Sequence, residues 1–163
     1  MRTSPSRVVR AATALAAAVV LVTLVVAGTA GAGGRDCRPV AGKLDEVAVP
    51  TSDGSFQASG RLTGGLQGTD NFRLEHLSEP LGDTTVSHFV GHSLIETRTG
   101  DIDMLVAGAF DTDSGRFSDL LTVVGGTGEW EGATGQLHLF GTFDLATGAG
   151  SSDYRGEICT APS

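Results

Sequence analysis

The chain has 163 residues, with 19 Asp and Glu against 11 Lys and Arg and a formal net charge of −8 at pH 7. Lys43 is the only lysine. So acidic a chain lacks the basic patches that nucleic acids and anionic membrane surfaces demand, which argues against both as partners.

The first segment reads as an address. Arg2, Arg7 and Arg10 make a basic start, Ala11 to Ala27 is an uncharged apolar run, and Ala30-Gly31-Ala32 offers the small-x-small pattern of a signal peptidase site. This predicts a signal peptide over residues 1–32 and a secreted domain over residues 33–163, free of the membrane once cleaved. The apolar run is short for a span of ~20 residues; a retained N-terminal anchor is the alternative. The three arginines leave with the signal, so the exported domain is more acidic still.

Two cysteines, Cys37 and Cys159, stand at the two ends of that domain. In an oxidising compartment such a pair is expected to bridge, with two free thiols as the alternative. A loop of more than about 100 residues would gain roughly 4–5 kcal/mol from closure on the chain-entropy model. A bridge needs Cα atoms within about 7 Å, so the first and last segments should be neighbours. A meandering sheet meets that condition if it closes on itself.

Between the cysteines the chain reads as β throughout. Strand-like runs fall at Lys43–Val49, Ser55–Leu62, Asn71–Leu77, Thr84–Thr97, Ile102–Phe110, Phe117–Val124, Gln136–Phe143 and Ser152–Cys159, bounded by Gly, Asp, Ser and Pro. Asp111-Thr-Asp-Ser-Gly115 and Asp144-Leu-Ala-Thr-Gly148 have the composition of hairpin turns. Eight strands, short connections and tethered ends predict an all-β fold, a closed eight-stranded antiparallel barrel. In the third run Asn71, Arg73 and Glu75 share one face and Phe72, Leu74 and His76 the other. A charged interior is costly unless paired, so the apolar face is expected inside.

The stretch Leu121 to Phe140 carries Gly125, Gly126, Gly128, Gly132 and Gly135 around Trp130, the only tryptophan. Glycines clustered between two strand-like runs predict a tight, shaped connection. A dinucleotide-binding turn would open a helix, whereas here Glu129 and Glu131 flank Trp130 and a strand-like run follows. His88 and His92, four apart on a strand, would lie roughly 13 Å from one another and cannot share one ion. Asp111-x-Asp113-x-Gly115 begins like a calcium loop but has Gly115 at the third ligand position and Thr122 where the closing Glu belongs. No Gly-x-Ser-x-Gly elbow is present. No metal or cofactor is expected from these motifs.

Val123-Val-Gly-Gly-Thr-Gly128, followed by Trp130, Gly132, Ala133 and Gly135, resembles the glycine signature of the allene oxide cyclase and dirigent barrels. Leu74-Glu-His-Leu-Ser-Glu-Pro-Leu-Gly-Asp83 is similar to a Glu-His-bearing stretch of the plant cyclases, and the likeness spans roughly Asn71 to Phe143. The resemblance implies a barrel whose partly apolar lumen takes hydrophobic or reactive small molecules, in chains that are often dimers or trimers. It implies Glu75 as a candidate site residue. Asn71 stands where the cyclases carry a cysteine, and a first-strand glutamate of theirs falls at Asp45 or Glu46. Their proline- and asparagine-bearing water-holding stretch has no counterpart. Two readings follow: a non-catalytic secreted barrel that binds a small hydrophobic ligand or serves as a structural module, and a cofactor-free cyclase, isomerase or dirigent-like factor. A lumen packed solid excludes the second; an open cavity holding two or three buried polar groups favours it.

Overall fold

The structure, a computed structural model, describes residues 34–162, so the expected signal peptide over residues 1–32 lies outside the described residues. Eight strands follow one another: β1 Asp36–Val49, β2 Gln57–Gly64, β3 Gly68–Leu77, β4 Val86–Thr97, β5 Gly100–Asp111, β6 Arg116–Gly126, β7 Thr134–Asp144 and β8 Ala149–Thr160. Each pairs antiparallel with its successor, and β1 pairs with β8, closing the barrel. All eight strand-like runs of the sequence are strands.

The main boundary difference is β1, which begins at Asp36 rather than Lys43. The extra residues Asp36 to Gly42 find their hydrogen-bond partners on β8, from Thr160 to Tyr154. Cys37 faces Cys159 in that register and the two form a disulfide across 122 residues of sequence. A sequence window scored on alternation alone has no way to register a partner strand so far along the chain.

Inside and outside follow the two-residue period. Leu44, Leu62, Ile95, Ile102, Met104, Val106, Leu121, Val123, Leu137, Leu139, Tyr154 and Ile158 are buried. Charged side chains such as Lys43, Asp153, Arg73 and Glu75 lie exposed outside and pair there. That is the reverse of a lipid-facing barrel, which turns its apolar residues outward.

Two bulges modify the period. On β6 Met104 faces Val123 while Asp103 faces Gly125, so Val124 is the unpaired residue and is turned out. On β3 Leu74 faces Gly91 while His76 faces Val90, so Glu75 is the extra residue. The expectation for His76 is thereby corrected. The bulge reverses the parity after Leu74, leaving His76 exposed opposite the outward Val90 and bringing Leu77 opposite Phe89.

The barrel has a closed end and an open one. At the closed end lie the start of β1, the end of β8 and the β2–β3, β4–β5 and β6–β7 connections. There Leu66 is buried, and the Tyr154 hydroxyl holds its loop, accepting from the Leu66 N–H at 2.7 Å and lying 2.9 Å from the Thr63 carbonyl. The glycine-rich β6–β7 connection completes this floor. Its short 3₁₀ turn, Gly128–Trp130, sets Trp130 inward, buried, with Nε1 donating to Thr97 Oγ1 at 3.2 Å and the Arg38 guanidinium 4.8 Å from the ring centre. Gly128 has φ +60° and its missing Cβ would fall 2.1 Å from the Thr99 carbonyl, so the turn admits no side chain there. Gly126, Gly132 and Gly135 are likewise confined by contact or by positive φ, whereas Gly125 has φ in the ordinary range and open space beside it.

Candidate functional site in the barrel lumen

The other end of the lumen is not filled. A cavity of about 150 Å³ opens between the β1–β2, β3–β4, β5–β6 and β7–β8 connections. Six of the seven phenylalanines line it: Phe56, Phe72, Phe89, Phe110, Phe117 and Phe143. Four of them run in edge-to-face succession, Phe143 to Phe56 at 5.5 Å, Phe56 to Phe72 at 6.4 Å and Phe72 to Phe89 at 6.1 Å between ring centres. This is a favoured aromatic geometry. Leu44, Val106, Leu121 and Leu139 form the deeper wall.

Three carboxyl groups break this apolar surface: Glu46 from β1, Asp70 from β3 and Asp119 from β6. Asp70 and Asp119 are buried, at 5 % and 8 % exposure, and Glu46 is half-buried. Each stands on the inward parity of its strand, Glu46 after Leu44, Asp70 before Phe72, and Asp119 between Phe117 and Leu121. Glycines give them room. Gly60 faces both Glu46 and Asp70 in the strand ladder, so nothing but hydrogen stands between those two positions on β2. A Cβ at Gly108, opposite Asp119, would fall 2.5 Å from Asp119 Oδ1.

The electrostatics follow from burial without a counter-ion. Loss of water raises the Asp119 carboxyl to about 8, with Glu46 and then Asp70 adding like-charge repulsion. Burial, and then repulsion from Asp70, raises Glu46 to about 7. Burial raises Asp70 to about 6, its rise restrained by the hydroxyl of Ser93, which donates to Asp70 Oδ1, and by a backbone N–H. Asp119 Oδ1 is buried with no hydrogen-bond partner. Three acids whose raised values fall across the neutral range share one apolar pocket, the kind of perturbation that marks a candidate functional site.

Of the candidates taken from sequence, Asn71 and Glu75 lie elsewhere. Asn71 is on the outer face, where its amide donates to Glu96 Oε2 and its carbonyl accepts from Ser59, both at 3.0 Å. Glu75, the bulged residue, is exposed and pairs with Arg73 at 3.3 Å. Of the two first-strand positions, Glu46 points into the cavity, while Asp45 accepts from Ser151 outside. Asp70 and Asp119 belong to no sequence motif, although both sit on the inward parity of their strands, beside Phe72 and between Phe117 and Leu121. His88 and His92 face outward on β4, and His92 Nε2 lies 2.6 Å from Asp103 Oδ1 on β5. Asp111 is occupied by its own turn, accepting from Thr85 and Ser114 at 2.6 Å each, and these contacts hold its pKa down to about 2.

The lumen acids do not form an ion cage. Among the described residues, the one group of three Cys, His, Asp or Glu ligand atoms lying within 4.8 Å of one another is Cys37, Glu157 and Cys159, and its cysteines are bridged. No protein-family model and no curated protein matches the chain.

Proposed function

We propose that this protein is a secreted binding barrel that holds a small, largely apolar molecule in its lumen, a member of the allene oxide cyclase and dirigent-like barrels. The observation that carries the binding reading is the open cavity of about 150 Å³ lined by six phenylalanines. Cavities of that kind bury most of a small ligand and use a few polar groups to orient it, a part suited to Glu46, Asp70 and Asp119. The family reading is supported by the closed eight-stranded meander and by the glycine stretch that forms its floor. Export is supported by the Cys37–Cys159 disulfide together with the basic-apolar-small order of residues 1–32.

The test uses toluene and benzyl alcohol, both small enough for the cavity. Binding should raise the melting temperature with concentration and move amide resonances of lumen residues such as Phe72, Phe89 and Ser93 while sparing the outer face. Absence of both effects up to solubility overturns the reading.

A second reading draws on the acids. A protonated carboxyl beside an ionised one supplies general acid and general base together, as a cofactor-free isomerase or cyclase requires. The carboxyls near 6, 7 and 8 favour it. Conversion of 3-cyclohexenone to its conjugated isomer, followed by ultraviolet absorbance, tests it; a rate unchanged in Asp119→Asn counts against it.

A further inference from the structure

All titratable side chains lining the cavity are acidic. Glu46 comes from β1, Asp70 from β3 and Asp119 from β6, while the lining residues of β4, β5 and β7 are Phe89, Ser93, Val106, Phe110, Leu139 and Phe143. No lysine, arginine or histidine is among them. Buried charge is tolerated when it is paired, yet the hydrogen-bond donors reaching these acids from the protein are the Ser93 hydroxyl and a backbone N–H on Asp70. Asp119 Oδ1, in a side chain more than nine-tenths buried, has none.

Three kinds of occupant could complete such a site. A neutral hydrogen-bonding molecule would satisfy Asp119 but leave the mutual repulsion of the acids unrelieved once they ionise. Calcium or magnesium takes six or more oxygens in one shell, whereas these acids do not gather within 4.8 Å and the remaining wall is hydrocarbon but for Ser93. An organic cation answers both demands: its positive charge lessens the repulsion among the acids, and its ammonium protons reach the unpartnered oxygen. The aromatic wall adds to this, because phenyl faces attract cations in desolvated settings.

We propose that the lumen ligand is a small organic ammonium, its nitrogen hydrogen-bonded to the unpartnered Asp119 Oδ1, its charge facing Glu46 and Asp70 across the cavity, and its apolar body among the phenylalanines. This inference rests on the lumen-binding reading above and adds the charge of the ligand. Proton and amine compete for the same carboxylates, so affinity rises from pH 5 to pH 8 as the acids ionise, an aliphatic amine staying protonated throughout.

Calorimetric titration with benzylamine and benzyl alcohol, which share a ring and differ in the polar group, tests it on the whole protein. At pH 8 benzylamine should bind about tenfold or more tightly than the alcohol, the scale of one charge-assisted hydrogen bond. That preference should vanish at pH 5 and in Asp119→Asn, whose folding is checked by near-ultraviolet circular dichroism. Equal binding of amine and alcohol overturns the cation inference and leaves lumen binding standing. Binding of neither overturns both. An amine preference that survives in both Asp119→Asn and Glu46→Gln places the amine on the acidic exterior and overturns the site.

Discussion

Replacing Asp119 by Asn removes the most strongly raised acid of the lumen while keeping its shape. In the folded chain this carboxyl titrates at about 8, against an ordinary 3.8. Between those values the folded state holds a proton that the unfolded chain has released. A raised acid therefore stabilises fully below the unfolded pKa, and that stability is lost as pH rises toward the folded one. The slope is about 1.4 kcal/mol per pH unit for one proton, so from pH 5 to pH 7 Asp119 alone should take roughly 3 kcal/mol from the wild type. Asn carries no such proton. Urea unfolding followed by the fluorescence of Trp130 measures both proteins at the two pH values. The variant should lose less stability than the wild type over this interval, by roughly that amount. Parallel profiles would refute the burial and coupling ascribed to Asp119.

Three further outcomes follow from the frame of the barrel. The paired substitution Cys37→Ser and Cys159→Ser should lower stability by roughly 4–5 kcal/mol through the long closed loop, seen as a lower urea midpoint, with the sheet signal in circular dichroism kept by the β1–β8 ladder. An unchanged midpoint would contradict it. Gly128→Val should cost about 1–3 kcal/mol through its forbidden φ, whereas Gly125→Ala, three residues before it in the same cluster, should stay within about 0.5 kcal/mol of wild type; equal melting temperatures for the two would remove the distinction. Trp130 is 4 % exposed, so acrylamide should quench it far less than free tryptophan, and quenching at the free rate would place it outside the floor.

The sequence by itself determined the strands and the closure. Alternation and frequent turn residues specify eight antiparallel strands, because period-two burial is a local rule, and cysteines at both ends bring the first and last together if they bridge. The turn chemistry was equally legible: Asp111 caps its own hairpin as the Asp-x-Asp-x-Gly spelling implies. The bulges were not, since an extra residue in a strand shows only against its partner, and for that reason alternation alone puts His76 on the inner face. The site needed the tertiary structure most. Each acid stands in its own strand among apolar neighbours, and any one alone reads as a tolerated exception. Only the register around the closed sheet puts Gly60 opposite both Glu46 and Asp70. The same closure turns Asp119 into that cavity, where three separate carboxylates become one coupled group with no protein cation to balance it.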